Sequence, residues 1–183
     1  MADFELTDDD LRVVVRCATE WADEVLPVFE RTRPDDPRPR AAIEAAREFA
    51  AGARRSTRQR TAAFAAHRAA KDAPSETARL AAQAAGDAAA AAYLHPIAKA
   101  HQVGHILRAA VNRVYIAELD SGGDPTVGNE MIAAVCNRTP PELIDVLCRY
   151  PEPGVGASRT ARLMAELDSR LRASGRRTTG TPD

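Results

Sequence analysis

Two histidines four residues apart are the strongest candidates for chemistry in this sequence. His101 and His105 fall in a segment predicted to be helical, and an i, i+4 spacing on a helix brings two imidazoles within reach of one metal ion. His67, on an earlier predicted helix, is a candidate third ligand if the two helices adjoin. Gln102 occupies the position of the general base in a helical zinc-protease motif, so that mechanism is not predicted. The alternative is that these histidines are partly exposed or have partners in the core.

The same segment carries a stripe of polar residues. At 100° per residue, four of them lie opposite the apolar side of the predicted helix and are the candidate partner-binding residues: His101, His105, Arg108 and Asn112. If this helix is central, the stripe is enclosed and its groups need hydrogen-bond partners. If the helix is peripheral, the stripe is solvated.

The sequence offers no other recognisable catalytic motif. It has no nucleophile elbow, no phosphate-binding loop and no dinucleotide fingerprint, and Gly122-Gly123 leads into Asp-Pro rather than into a helix that cradles phosphate. The main interpretation therefore assigns no catalytic residue and no cofactor. The metal alternative alone, through His67, His101 and His105, calls for a divalent ion such as zinc or nickel.

The elements that position these residues are predicted to be helices. About a fifth of the 183 residues are alanine, and alternating β-branched runs are missing, so the fold class is all-α. Thr7 and Asp10 form a capping-box pattern for the first helix, within which Pro27 predicts a kink or an end. The remaining helices are predicted at 40–51, 56–71, 75–94, 96–119, 126–137, 141–149 and 158–171.

These helices predict a bundle of about five core helices with a short helical extension. Residues 1–120 form the bundle domain, and residues 121–173 form a C-terminal extension packed on it. Residues 174–183 are expected to be a disordered tail.

Charge and cysteine content limit the partners and the compartment. A formal net charge of −1 argues against nucleic-acid binding. The arginine cluster at residues 54–60 lacks interleaved aromatics and is interpreted as a solvated face pairing with Glu44, Glu48 and the acidic loop at 35–36. An odd number of cysteines, an acidic N-terminus and no long apolar run predict a cytoplasmic protein that does not engage a membrane.

Several segments resemble one family. Residues 25–30, the proline- and arginine-rich connection at 33–40 and the helix at 42–47 are similar, in order, to the putative immunity protein family of small helical bacterial proteins. Residues 63–67 and 100–105 continue the similarity, which covers roughly residues 8–118, whereas the segment after Gly123 departs from it. The resemblance implies a helical domain that binds and neutralises a cognate toxin without catalysis of its own.

Other interpretations stay open beside the resemblance. The acidic outer side of the first helix is either a contact surface for a basic toxin or a solvated face. The three histidines also resemble the metal site of DinB-like helical-bundle enzymes, although the interval from His67 to His101 is short for that family. A third interpretation is a homo-oligomeric scaffold in which the Ala-rich helices self-associate.

Overall fold

Helices are the only regular secondary structure in the described part of the chain. The computed structural model describes residues 4–178, and the side chains of residues 4–176. Its helices are α1 (Asp8–Glu30), α2 (Arg38–Ala50), α3 (Thr57–Lys71), α4 (Glu76–Ala90), α5 (Val103–Asp120), α6 (Pro125–Arg138), α7 (Pro141–Cys148) and α8 (Arg159–Thr178). Short 3₁₀ turns follow α4 at Ala91–Tyr93 and precede α5 at Ala100–Gln102. Within residues 4–178, no helix has the length and apolar character needed to cross a membrane. The prediction of an all-α fold is confirmed.

Local sequence signals mark the start of α1 and the end of α2. The Thr7 hydroxyl accepts from the Asp10 backbone N–H, and the Asp10 carboxylate accepts from the Thr7 N–H, which completes the predicted capping box. Pro27 lies within α1, which continues to Glu30 instead of ending at the proline. After α2 the chain turns at Gly52, whose φ of 106° falls in the region that glycine adopts at little cost.

The Ala-rich helix α4 lies at the centre of the bundle. It packs against α1, α2, α3 and α5. Small side chains make such crowding possible, because backbones can approach closely on every side of a helix that carries mainly methyl groups. Its alanines are buried inside this chain and are not available to pair with a second copy; a homo-oligomer through another surface stays a prediction.

Helix α5 begins seven residues later than predicted. The segment after Pro96 is not helical and leads into a 3₁₀ turn, so the α-helix starts only at Val103. Tyr150 donates a hydrogen bond to the His95 carbonyl at 2.9 Å, and the Gln102 side chain accepts from the His95 N–H at 3.1 Å. These contacts hold the segment out of the helix, so His101 and His105 do not share one α-helix as predicted.

The C-terminal helices cover two sides of the bundle. Helices α6 and α8 pack on α5, and α7 packs on α1. The nearly buried Glu118 of α5 accepts from Arg159 of α8, with Arg159 Nε at 2.8 Å. Helix α8 continues through Thr178, so residues 174–178 are helical and not part of the predicted disordered tail; residues 179–183 lie outside the described part.

Candidate functional site

A buried carboxylate, Asp87, is the centre of the candidate site. It lies on the Ala-rich α4 with 5% of its surface exposed. Arg108 Nη1 of α5 donates to Asp87 Oδ1 at 3.4 Å, and Asn112 Nδ2 donates to Asp87 Oδ2 at 3.4 Å. His67 Nε2 of α3 stands 3.7 Å from Asp87 Oδ1. Two helices, α3 and α5, therefore present polar side chains to one carboxylate on α4 in an otherwise apolar interior.

Burial changes the protonation of this group. It raises the pKa of Asp87 to about 7, against the opposing effect of Arg108. It lowers the pKa of His67, and the nearby Arg108 guanidinium lowers it further. It also lowers the pKa of His105 to about 4, with added repulsion from Arg108 and from the neighbouring histidines. Both His67 and His105 are therefore neutral at physiological pH, and Arg108 is the fixed positive charge.

Two glycines allow these side chains to lie close to the helices. A β-carbon on Gly86 would come within 2.8 Å of the His67 ring, so the ring rests directly on the α4 backbone. A β-carbon on Gly104 would overlap the Arg108 guanidinium, whose Cζ would be 3.0 Å away. Arg108 thus folds back along α5 toward Asp87.

Arg108 separates two cavities. The first, here called the Phe64 cavity, has a volume of about 280 Å³ and lies between α3, α4 and α5. Its lining residues are Arg60, Ala63, Phe64, His67, Asp87, Ala90, Tyr93, His105 and Arg108. The second, the His101 cavity, has a volume of about 450 Å³ and lies between α4, α5 and the start of α8. It is lined by His101, Asn112 and Arg108 from the predicted stripe, and by residues from 153–164.

The four residues of the predicted polar stripe lie in different environments. Asn112 is 2% exposed, so its side chain holds Asp87 in place and does not reach the surface. His101 is exposed on the 3₁₀ turn, whereas His105 is half-buried in the Phe64 cavity. Arg108 is exposed and borders both cavities. The four residues do not form one continuous face, because α5 is enclosed by α1, α4, α6 and α8.

The structure does not support the metal-binding alternative. His67 and His105 line the Phe64 cavity, but His101 lies in the other cavity, beyond Arg108. Among the residues that the structure describes, no group of three or more His, Cys, Asp or Glu side chains is placed to hold a metal ion. The Arg108 guanidinium, 3.4 Å from Asp87 Oδ1, supplies the positive charge there that a cation would bring.

The arginine cluster differs from its sequence interpretation. Arg58 pairs with Glu48 at 2.7 Å, as the solvated-face interpretation predicted. Arg55 and Arg60 instead lie over the ring of Tyr93, with Cζ 5.5 and 4.5 Å from its centroid. Tyr93 is fixed by donating to the Ser56 carbonyl at 2.6 Å. An aromatic partner distant in sequence was thus missed.

The acidic side of α1 is largely neutralised within the chain. Asp10 pairs with Arg149 at 2.8 Å, Asp23 with Arg47 at 3.2 Å, and Glu24 with both Arg113 and Arg138. Arginines already hold most of these carboxylates, which makes α1 a weak candidate surface for a basic toxin.

Sequence reasoning missed Asp87 and the exposure of Phe64. A signal for Asp87 exists: it is the one charged residue between Arg79 and Lys99, in a run of alanines. A charge at such a position is expected either to face solvent or to have partners. Phe64 gives no comparable signal, because its 59% exposure depends on how α3 sits against α4 and α5.

Comparison with known sequences adds the family. The sequence profile of the Imm-5 like putative immunity protein family matches residues 5–139. The chain belongs to this family. The match confirms the resemblance and extends it through α6, into the segment that sequence analysis had treated as departing from the family. No curated protein and no solved structure matches the chain.

The family match includes one of the two cavities. All residues that line the Phe64 cavity lie between positions 60 and 108, inside the matched segment of this Imm-5 like protein. The His101 cavity also uses Pro153, Gly154, Thr160, Ala161 and Met164, which lie beyond the match. The Phe64 cavity is therefore built wholly by the part of the chain that defines the family.

Proposed function

We propose that this protein is an immunity protein that binds a cognate bacterial toxin and neutralises it without catalysis. The family match over residues 5–139 carries the proposal. It spans six of the eight described helices, including the whole central bundle around α4. In a bacterium, the toxin gene is expected beside the gene for this chain.

The polar groups of the site support binding over turnover. Asp87 is engaged by Arg108 and Asn112 and approached by His67, so its carboxylate orients neighbours within the chain. The three cysteines are separate from this site; Cys17 is buried, and burial raises the pKa of its thiol to about 12. A surface whose polar groups are already paired within the chain suits recognition of a protein partner.

A co-expression experiment tests the function. The neighbouring toxin gene is induced in a host that carries either this chain, an empty vector or an immunity gene from an unrelated pair. We expect growth with this chain alone, and a complex of toxin and immunity protein on size-exclusion chromatography. Cell death in all three strains would contradict the proposal.

Stoichiometry separates binding from enzymatic inactivation. Toxin activity is titrated with purified protein at nanomolar concentrations, well above the dissociation constant expected of a tight inhibitor. A non-catalytic inhibitor abolishes activity linearly up to an equimolar ratio, and toxin separated from the complex under denaturing conditions regains activity on refolding. Complete inactivation by a small fraction of an equivalent would show turnover instead.

A further inference from the structure

We propose that the Phe64 cavity is the docking site for the toxin, and that it receives an apolar side chain of the partner flanked by a carboxylate. This inference rests on the proposed function. It names the chemistry of the partner at that site: an aromatic or aliphatic residue beside Asp or Glu.

The apolar part of the cavity is open to solvent. Phe64 has 59% of its surface exposed and lines the cavity together with Ala63 and Ala90. Within the described residues, Val155 is the one other large hydrophobic side chain with comparable exposure, and it lies in the loop before α8. An exposed aromatic beside a preformed cavity is the arrangement that protein interfaces use to seat an anchor side chain.

The charged part of the cavity is cationic at its rim. Arg60 lies over Tyr93 and, among the side chains of residues 4–176, has no carboxylate within ion-pair distance. Arg108 is half exposed, and the one acidic group in the lining, Asp87, is buried behind it. A partner carboxylate can therefore reach Arg60 and Arg108 from solvent without displacing an acidic side chain from the surface.

The position of Arg60 is restricted before a partner binds. Tyr93 is anchored to the Ser56 carbonyl, and Arg55 lies over the same ring while donating to the Ala92 carbonyl at 3.1 Å. Restricting the rotamers of Arg60 before binding lowers the entropy lost when the partner docks.

Small probes test the chemistry of the cavity without the toxin. The ¹⁵N-labelled full chain is titrated with 3-phenylpropionate, 3-phenylpropanamide and 3-phenylpropylamine, each at millimolar concentration, where fragments of this size bind. We expect amide shift changes confined to residues 60–67, 87–93 and 105–108. The carboxylate should bind tightest and the amine weakest, and the preference should shrink with added salt. Shifts elsewhere, no shifts, or equal binding of the three probes would overturn the proposal.

Substitutions at two exposed residues of the cavity, Arg60 and Phe64, test the same binding. Arg60→Gln should weaken 3-phenylpropionate by about two- to fivefold, the range of a partly exposed ion pair, and leave the amide probe unchanged. Phe64→Ala should weaken all three probes. Arg54→Gln is the control, because Arg54 is exposed in the same cluster and does not line the cavity.

Binding of the cognate toxin to wild type and variants tests whether this cavity is the docking site. Phe64→Ala should weaken the toxin complex at least about 30-fold, as expected of an interface anchor, while Arg54→Gln has no effect. If wild type and all three variants neutralise the toxin equally, the proposed function stands and the docking site is wrong. If wild type does not bind the toxin, the proposed function fails and the docking site fails with it.

A single-stranded oligonucleotide that shifts the same residues more strongly than the carboxylate probe would assign the cavity to nucleic acid and overturn the proposal.

Discussion

Asp87 is a buried carboxylate whose partners only partly replace water. Its carboxylate lies in an interior made mainly of alanine methyl groups, with one fixed cation, Arg108, and one amide, Asn112, within hydrogen-bond distance. Both hydrogen bonds are long, so they offset only part of the cost of removing the charge from water. The raised pKa of Asp87 follows from that imbalance.

The stability of the protein should therefore fall as Asp87 ionises. Its pKa is raised from 3.8 to about 7, so the folded chain holds a proton that the unfolded chain has released across this interval. The resulting stabilisation is complete below the unfolded value and is lost as the pH rises through about 7. Asp87→Asn cannot ionise, and we expect it to exceed wild type by on the order of 2 kcal/mol at pH 8.

Urea denaturation followed by circular dichroism between pH 5 and pH 8 measures this difference. Glu20→Gln is the control, because Glu20 is exposed on α1 and has no ion pair within the described residues. A wild-type pH dependence that persists unchanged in Asp87→Asn would contradict the prediction.

The sequence predicts a residue's role where that role is local. Thr7 and Asp10 satisfy each other across three residues, and the pattern alone reveals the capping box. The surroundings of Asp87 come from α3 and α5, and the ring beneath Arg60 is 33 positions away at Tyr93. Such contacts depend on which helices adjoin, which the sequence of one helix does not contain.

Among the elements, α5 shows most clearly where sequence signals fail. Pro96 is a good first residue for a helix, and the pattern after it is helical. The chain nevertheless stays out of the helix to residue 99, because Tyr150 and Gln102 bind the backbone of His95. For the same reason, His101 and His105 do not lie on the one α-helix that their spacing had predicted. The start of α1, closed by its capping box, and the end of α2, where the chain turns at Gly52, are marked by local residues instead.

The packing of α6 on α5 depends on a glycine. A methyl group on Gly128 would approach the Glu118 carboxyl carbon to 2.6 Å, and Glu118 is held by Arg159. We expect Gly128→Ala to separate these helices and to lower the free energy of unfolding by about 2–3 kcal/mol, despite the higher helix propensity of alanine. Gly154→Ala is the control, since a β-carbon there meets nothing within 4 Å. Equal stability of the two variants in thermal denaturation would show that Glu118 can move aside freely.

At the scale of the whole molecule, the segment before α1 and the first turn of α1 contact the residues that follow α7. Phe4 packs edge-on against Tyr150 with ring centroids 4.8 Å apart, and Arg149 pairs with Asp10 at 2.8 Å. Helix α8 buries Leu163, Leu167 and Leu171. These contacts predict that the bundle and its C-terminal extension unfold together.

A substitution in α8 tests this cooperativity. Trp21, the single tryptophan of the chain, is buried on α1 and reports on the bundle. Leu167→Ala removes a fully buried side chain and should lower the free energy of unfolding by about 2–5 kcal/mol, shifting the Trp21 fluorescence transition to lower urea. Arg170→Ala, on the exposed side of the same helix, should leave the transition in place. A Trp21 transition unmoved by Leu167→Ala would mean that the extension unfolds separately.

Because α4 consists mainly of alanine, its packing only weakly specifies its position along its own axis relative to the neighbouring helices. At most buried positions of α4, a shift by one turn replaces a methyl group with a methyl group, so these contacts hardly distinguish one register from the next. The exceptions are Leu80, which is fully buried, Gly86, which admits the His67 ring, and Asp87, which meets Arg108 and Asn112. A buried polar residue can fix a helical register at a cost in stability, as a single asparagine does in coiled coils. On this account Asp87 and Gly86 align α3 and α5 along α4, and the shape of the cavity beside Phe64 depends on that alignment.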